Sequence, residues 1–434
     1  MDRDLVALLG FILMFVFMAL RVPIGVAMGL TGILGFAALS GIGPALKLLG
    51  QVPLSVLSDY NLSIIPMFVL MGAFAASAGM SRELFAAGTA WLGHRRGGLA
   101  LATITACGGF AAINGSSVAT AATMTQVALP EMRKAGYDPG LSAGLIAAGG
   151  TLGIMIPPSV IFVLYGVMTE TDITQLFFAG VVPGIIAMLF YSSVIVFLAW
   201  QYPATMPRGR RHGWSERFAT LKNLWATLML FLVVLGGMYL GVFTATEAAG
   251  VGAVGALAIG LVRGQLEVGQ IKGTLVSSLR ISAAIMTIVL GAYLFGYFLT
   301  ITQFTQKSIE FLVHLPVGAY GVLAIVMVGY LILGALMDEL AMILLTVPIV
   351  FPAMMQLGFD PVWFGVIIVM AVTFGMICPP VGMNVFVINS IAQDISLTRI
   401  YRGTFPFIAV DLLRLFLLCA FPALSLWLPK TMGG

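Results

Sequence analysis

Two pairs of adjacent prolines, Pro157-Pro158 and Pro379-Pro380, each lie inside a long apolar stretch. Proline lacks a backbone donor and pushes its predecessor out of the α region, so a helix arriving at either pair must break. The chain is 60% hydrophobic and 9% charged, which makes it a polytopic membrane protein and puts both breaks at membrane depth. Unpaired amides and carbonyls persist there only where protein buries them or a polar cavity receives them. The glycines around the first pair, Gly149, Gly150 and Gly153, let backbone from elsewhere come close.

The second break repeats the first. Gly153, Pro157 and Pro158 recur as Gly375, Pro379 and Pro380, 222 positions on. At the same offset Pro130, Gly136, Asp138, Pro139 and Asp172 recur as Pro352, Gly358, Asp360, Pro361 and Asp394. Identities at one ungapped offset that include both proline pairs mark two homologous halves. Paired broken helices at corresponding places in two halves point to the binding site of a secondary transporter.

The pattern predicts an all-α protein. Residues 1–201 form the first half, with scaffold helices in 1–80 and a hairpin and broken helix in 97–168. Residues 5–20 lack a basic leader and run into Arg21-Val22-Pro23, so they read as a first span rather than a cleaved signal. Residues 44–59 and 81–91 read as amphipathic arms. Asn114-Gly115-Ser116-Ser117 splits an apolar run into two pieces marginal for a crossing, which predicts a re-entrant hairpin with its tip deep in the membrane. Residues 202–222 are a polar loop between the halves. The second half, 223–434, carries scaffold helices in 223–300, including an arm over 263–280 and a span over 281–300. A hairpin and broken helix follow in 316–393, with tip Asp338-Glu339, and a final helix over 404–428.

Charge sets the threading. With both ends of hairpin one cytoplasmic, Arg21, Arg82, Arg95, Arg96, Arg133, Lys134, Arg208, Arg210, Arg211, Arg217, Lys222, Arg263, Lys272, Arg280, Arg399 and Arg402 lie inside. Only Arg3, Lys47, Lys307 and Lys430 remain outside. That satisfies the positive-inside rule, puts the ends of hairpin two outside and the N-terminus in the periplasm, and makes the halves inverted repeats.

The motifs then resemble a family. Hairpin one (Gly108 to Ala121), Pro130 to Tyr137, Gly153 to Ser159, Phe243 to Ala249, Met337 to Ile349 and Cys378 to Asn384 are similar, in this order, to the large membrane subunit, DctM type, of tripartite ATP-independent periplasmic (TRAP) transporters. Asn114 stands where many relatives have Ser, and Cys378 where Thr is frequent. The resemblance implies an elevator-type ion transporter fold in the bacterial inner membrane, with sodium as coupling ion and no other cofactor. It implies an organic acid, such as a C4-dicarboxylate or sugar acid, delivered by a periplasmic binding protein. A small four-helix membrane subunit, separate from this chain, completes the complex.

The residues carry their own argument. A hairpin tip meeting a broken helix offers helix N-termini to an anion, and free carbonyls with Ser, Thr or Asn oxygens to Na⁺. The first candidate sodium site is Asn114, Gly115, Ser116, Ser117, Gly150, Gly153 and Pro157. The offset maps it onto a second: Leu336, Met337, Asp338, Glu339, Val372, Gly375 and Pro379. Ser116, Ser117, Thr151, Pro158, Glu339 and Pro380 are candidates for the substrate cavity. Asp338 reads as the cap of the following helix, Thr244 and Glu247 as a capping box, Asp138 and Asp360 as N-caps, and Asp411 with Arg414 as an i,i+3 couple.

Other classes lack their motifs. No HExxH, GxSxG or Walker sequence occurs, which disfavours a membrane hydrolase and ATP coupling within the chain. Cys107, Cys378 and Cys419 are isolated, His94, His212 and His314 lie near the interfaces, and no nucleic-acid partner is expected. The alternative function is a stand-alone divalent-anion/Na⁺ symporter of the same architecture. Membrane lipid is a partner in either case.

Overall fold

The computed structural model describes residues 2–432, and among them there are helices and turns but no β-strand. Helices α1 (Arg3–Ala19), α2 (Ile24–Ser40), α3 (Ile42–Leu57), α4 (Ile64–Ser77) and α5 (Met80–Leu92) lead into hairpin one, formed by α6 (Gly98–Asn114) and α7 (Ser117–Lys134). Broken helix one is α8 (Pro139–Met155) with α9 (Val160–Thr169), and α10 (Ile173–Gln201) closes the half. After α11 (Trp214–Asn223), the second half begins with α12 (Trp225–Phe231), a π-helical turn and α13 (Gly237–Tyr239). It continues through α14 (Ala245–Val262), α15 (Val268–Ile301) and α16 (Phe304–Val313). Hairpin two is α17 (Gly318–Gly334) and α18 (Glu339–Gln356), and broken helix two is α19 (Pro361–Gly375) with α20 (Met383–Ile391). The chain ends in α21 (Leu397–Ala420) and α22 (Ala423–Lys430).

Among the described residues, six helical segments are long and apolar enough to cross a membrane, or up to eight if each of two bent pairs counts as one span. Between the base of hairpin one and that of hairpin two the chain runs through α8–α9, α10, α12–α13, α14 and α15. Counted as one crossing apiece, these are odd in number, so the two hairpins enter from opposite faces and the halves are inverted.

The halves interlock. Helix α2 packs along α15, and its counterpart α14 packs along α4. The first contact is backbone on backbone: a Cβ at Gly25 would lie 2.6 Å from Ile288 Cα, and one at Gly32 2.6 Å from the Leu294 carbonyl carbon. Small residues at helical spacing permit this approach in lipid, where dispersion rather than hydrophobicity holds helices together. Likewise α7 packs on α20 and α18 on α9, so each hairpin touches the second piece of the other half's broken helix.

Ion pairs across the halves join positions that the threading puts on a common face. Glu83 pairs with Arg263, Asp138 with Arg399 (2.7 Å) and Arg133 with Asp394 (2.9 Å), all at positions assigned inside. Asp4 pairs with Lys307 at the opposite face. The Arg133 hydrogen bond holds the exposed Asp394 carboxyl below its ordinary range.

Three segments differ from the sequence reading. The final helix expected over 404–428 begins at Leu397 and is interrupted at Phe421-Pro422 between α21 and α22, where the proline removes a backbone donor. The stretch expected as an arm followed by a span is one continuous helix, α15, about 51 Å long at 1.5 Å per residue. No proline lies between Lys272 and Ile281, and the single glycine there, Gly273, does not stop the helix, whereas in the first half α3 and α4 bend by 62° around Asp59, whose Oδ1 accepts from Asn61 N at 2.8 Å. The stretch expected as a loop contains α11 and is tied down: Gly209 N donates to Gly93 O (3.0 Å), Asp138 N to Thr205 O (3.2 Å) and Tyr137 Oη to Pro207 O (3.1 Å). Arg217 is buried, donates to Ala90 O and stacks over Trp214, 5.1 Å from the ring centroid.

Candidate functional site

Polar tips and proline breaks meet as their residue types require. Asn114 ends α6, and Gly115, at φ +67°, turns the chain so that Ser116 can cap α7, its Oγ accepting from Ala119 N at 3.3 Å. In break one α8 ends at Met155, Ile156 is extended, the Pro157-Pro158 bond is cis, and Ser159 Oγ caps α9 by accepting from Phe162 N at 3.4 Å. The tip is docked on the break without space for a side chain. A Cβ at Gly115 would lie 2.6 Å from Pro158 O, and one at Gly153 2.4 Å from Ser116 O. Val160 N donates to Gly115 O at 3.4 Å.

The first candidate set is thus brought together: Asn114, Gly115, Ser116 and Ser117 on the tip, Gly150, Gly153 and Pro157 on the break. Asn114 Nδ2 donates to Ser116 O (3.4 Å) and Thr120 Oγ1 (3.3 Å), and its Oδ1 faces α4, where a Cβ at Gly72 would come within 2.5 Å. The ends of α6 and α8 present carbonyls, and the starts of α7 and α9 present amides. These neutral oxygens, with no carboxylate among the named residues, suit a hard monovalent cation, and the amide ends suit an anion.

The second set assembles in the same way with different chemistry. A Cβ at Gly375 would lie 2.5 Å from Gly334 backbone, and Val381 N donates to Ala335 O at 3.2 Å, docking tip two on break two. Met337, Val372 and Gly375 are buried, Leu336 is exposed, Pro379 is half-buried and Pro380 is exposed, whereas Pro157 and Pro158 are buried. Asp338 occupies the N-cap position of α18 with extended backbone, but its side chain makes no cap hydrogen bond. Glu339 is buried, and its Oε2 has no protein partner. The serines of tip one are therefore replaced at the same offset by two acids.

Of the residues expected around the substrate cavity, Ser116 and Ser117 stand at tip one, Pro158 in break one, Glu339 at tip two and Pro380 in break two. Thr151 turns elsewhere: its hydroxyl meets Ala148 O (2.7 Å) and Tyr191 Oη (3.1 Å), and Tyr191 Oη donates to Asp411 (2.8 and 2.9 Å). A cleft of about 780 Å³ where α9 ends and α10 and α14 begin is lined by Asp59, Tyr60, Glu170, Asp172, Thr244 and Tyr293 among others, and includes none of these cavity candidates.

Sequence reasoning missed three groups. Asn384, fully buried, reaches tip one from the second half. Tyr401 Oη donates to Pro380 O (3.0 Å) and Val381 O (2.8 Å), and Thr404 Oγ1 to Ile377 O (3.3 Å), satisfying carbonyls that break two frees. Asn384 closes one of the motifs, but the offset pairs it with Phe162 and so hides it.

The family model described as "Tripartite ATP-independent periplasmic transporter, DctM component" matches residues 11–424. The chain belongs to this family. Its members are transport permeases, and the fold above is that of a DctM component. One similar relative is the C4-dicarboxylate TRAP transporter large permease protein DctM of Pseudomonas aeruginosa, 38% identical over 86% of this chain and 87% of that one. Another is the isethionate TRAP transporter permease protein DctMQ of Oleidesulfovibrio alaskensis, 33% identical over 95% of this chain and 64% of that one. Among solved structures, the Alcanivorax borkumensis YdaH transporter, described as having an unusual topology, superposes with a TM-score of 0.63 at 14% identity, covering 89% of this chain and 90% of that one. That likeness concerns the fold alone.

Proposed function

We propose that this DctM component is the sodium-coupled, secondary-active importer subunit of a tripartite system in the bacterial inner membrane. It moves an organic acid, a C4-dicarboxylate or a related carboxylate or sulfonate, that a periplasmic binding protein delivers. The observation that carries the reading is the docking of each polar hairpin tip on its own proline break inside a membrane protein of this family. Free carbonyls and hydroxyls bind sodium there, and the amide ends of α7 and α9 face the anion. The hairpins and broken helices move together as an elevator against the scaffold helices, and hairpin one meets that scaffold at Gly72, where no side chain impedes sliding. The relative DctMQ supports a small membrane subunit as partner, since it extends well beyond the part that this chain covers.

Reconstitution tests the reading. Proteoliposomes holding this chain, a small subunit and a cognate binding protein should accumulate a labelled organic acid only under an inward sodium gradient. Uptake by this chain alone would instead make it a stand-alone symporter.

Sidedness has its own test. The cross-half ion pairs join positions assigned to a common face, and the excess of Lys and Arg on the face of the hairpin-one ends supports its being cytoplasmic, with the N-terminus in the periplasm. Cysteines introduced as Arg96→Cys and Lys134→Cys should react with an impermeant maleimide in inside-out vesicles and stay unlabelled in intact spheroplasts. Labelling in spheroplasts would reverse the threading.

A further inference from the structure

We propose that Asn384 is the positioning residue through which the second half sets the geometry of the first sodium site, coupling sodium binding at tip one to the conformation of break two. The inference rests on the sodium reading above and deepens it.

The contacts are specific. Asn384 is fully buried. Its Oδ1 accepts from Ser117 Oγ at 3.1 Å, and its Nδ2 lies within hydrogen-bond distance of Ser117 Oγ (2.8 Å) and Ala147 O (2.9 Å). One amide from half two therefore holds both the first residue of α7 and the backbone of α8 one turn before Thr151. Gly150 makes the room: a Cβ there would lie 2.9 Å from Asn384 Nδ2.

Chemistry gives that contact a consequence. A serine hydroxyl has one proton and two lone pairs. Ser117 donates its proton to Asn384 Oδ1 and accepts from Asn384 Nδ2 on one lone pair, so the proton is directed away from the tip and the second lone pair is left for a cation. Without Asn384 the hydroxyl is free to turn its proton toward the ion.

The other end of the link is break two. Gly382, at φ +52°, caps α20, and Asn384 N donates to Met376 O at 3.1 Å, across the break from the end of α19. The side chain that orients Ser117 is thus fixed by the backbone of the opposite repeat. In half one the corresponding residue is the buried, apolar Phe162, which offers no side-chain hydrogen bond to tip two. The coupling therefore runs to the first site only, and the two sites are not equivalent.

The test is sodium titration of uptake in proteoliposomes for the wild type, Asn384→Ala, Asn384→Asp, Ser117→Ala and the Ser117→Ala/Asn384→Ala double variant. Asn384→Ala should raise the half-saturating sodium concentration about tenfold, the effect of ~1.4 kcal/mol, and leave the maximal rate at saturating sodium within about threefold. The double variant should be no worse than the poorer single one, because both remove one interaction. Asn384→Asp keeps the volume and the acceptor but not the donor to Ala147, and should fall between. For any variant too slow to titrate, sodium-dependent thermal stabilisation of the purified protein gives the same comparison. Wild-type half-saturation in Asn384→Ala, or singles whose effects multiply in the double variant, would overturn the inference. A wild type indifferent to sodium overturns the sodium reading itself, and the control shows this before any variant is compared.

Discussion

Replacing Gly153 with leucine should lower apparent sodium affinity in uptake about a hundredfold while leaving the protein folded in the membrane. The site has no space: even a Cβ would stand 2.4 Å from Ser116 O and 2.8 Å from Thr120 Oγ1. Overpacking of this kind costs about 1–3 kcal/mol, and occasionally more. The strain is relieved most easily by lifting tip one off the break, since α6 and α7 keep their own packing. If about 3 kcal/mol falls on the docked geometry, affinity drops by two powers of ten. Sodium-dependent uptake against membrane abundance measures it. Normal sodium dependence in Gly153→Leu would remove the tip and break from the ion site.

The second large effect concerns stability. Asp411 and Arg414 are each 1% exposed and form an ion pair at 3.0 Å, one helical turn apart in α21. Tyr191 donates to both carboxylate oxygens, and the guanidinium lies 5.7 Å from its ring centroid, yet the arginine nitrogens make no well-angled hydrogen bond. The attraction is thus mostly Coulombic, and it cancels two charges that lipid or protein would otherwise have to hold. Breaking such a pair from one side costs about 3–5 kcal/mol, because the remaining charge stays buried. Arg414→Met should therefore strongly reduce the thermal midpoint and the yield of monodisperse protein. Pairing it with Asp411→Asn should recover most of the loss, since neutralising both partners leaves no orphan charge. A single Arg414→Met variant as stable as the wild type would contradict this account.

The breaks and tips were legible because they rest on local chemistry. Adjacent prolines cannot continue a helix in any context, and Asn114-Gly115-Ser116-Ser117 interrupts an apolar run whatever surrounds it. The caps at Asp138 and Asp360 and the capping box of Thr244 with Glu247 follow from the same short-range rules, and the structure contains their hydrogen bonds. Asp338 shows the limit of such rules: it takes the N-cap position without the cap bond. The continuity of α15 is not legible in the sequence, because a drop in hydropathy near Arg280 does not end a helix that no proline interrupts. In α11, Arg217 is held by Ala90 O and the Trp214 ring, contacts that a charge count cannot anticipate. Asn384 was illegible for a deeper reason. Internal symmetry finds what the halves share, and this contact is one that they do not.

The central claim is that a hairpin tip docked on a proline break binds the coupling ion. Equilibrium binding of radiolabelled sodium to the purified protein and to Gly153→Leu tests it most directly. The account predicts saturable binding to the wild type, displaced by unlabelled sodium but not by choline, and lost over the same concentration range in Gly153→Leu. Equal saturable binding to both proteins, or none to the wild type, would contradict it.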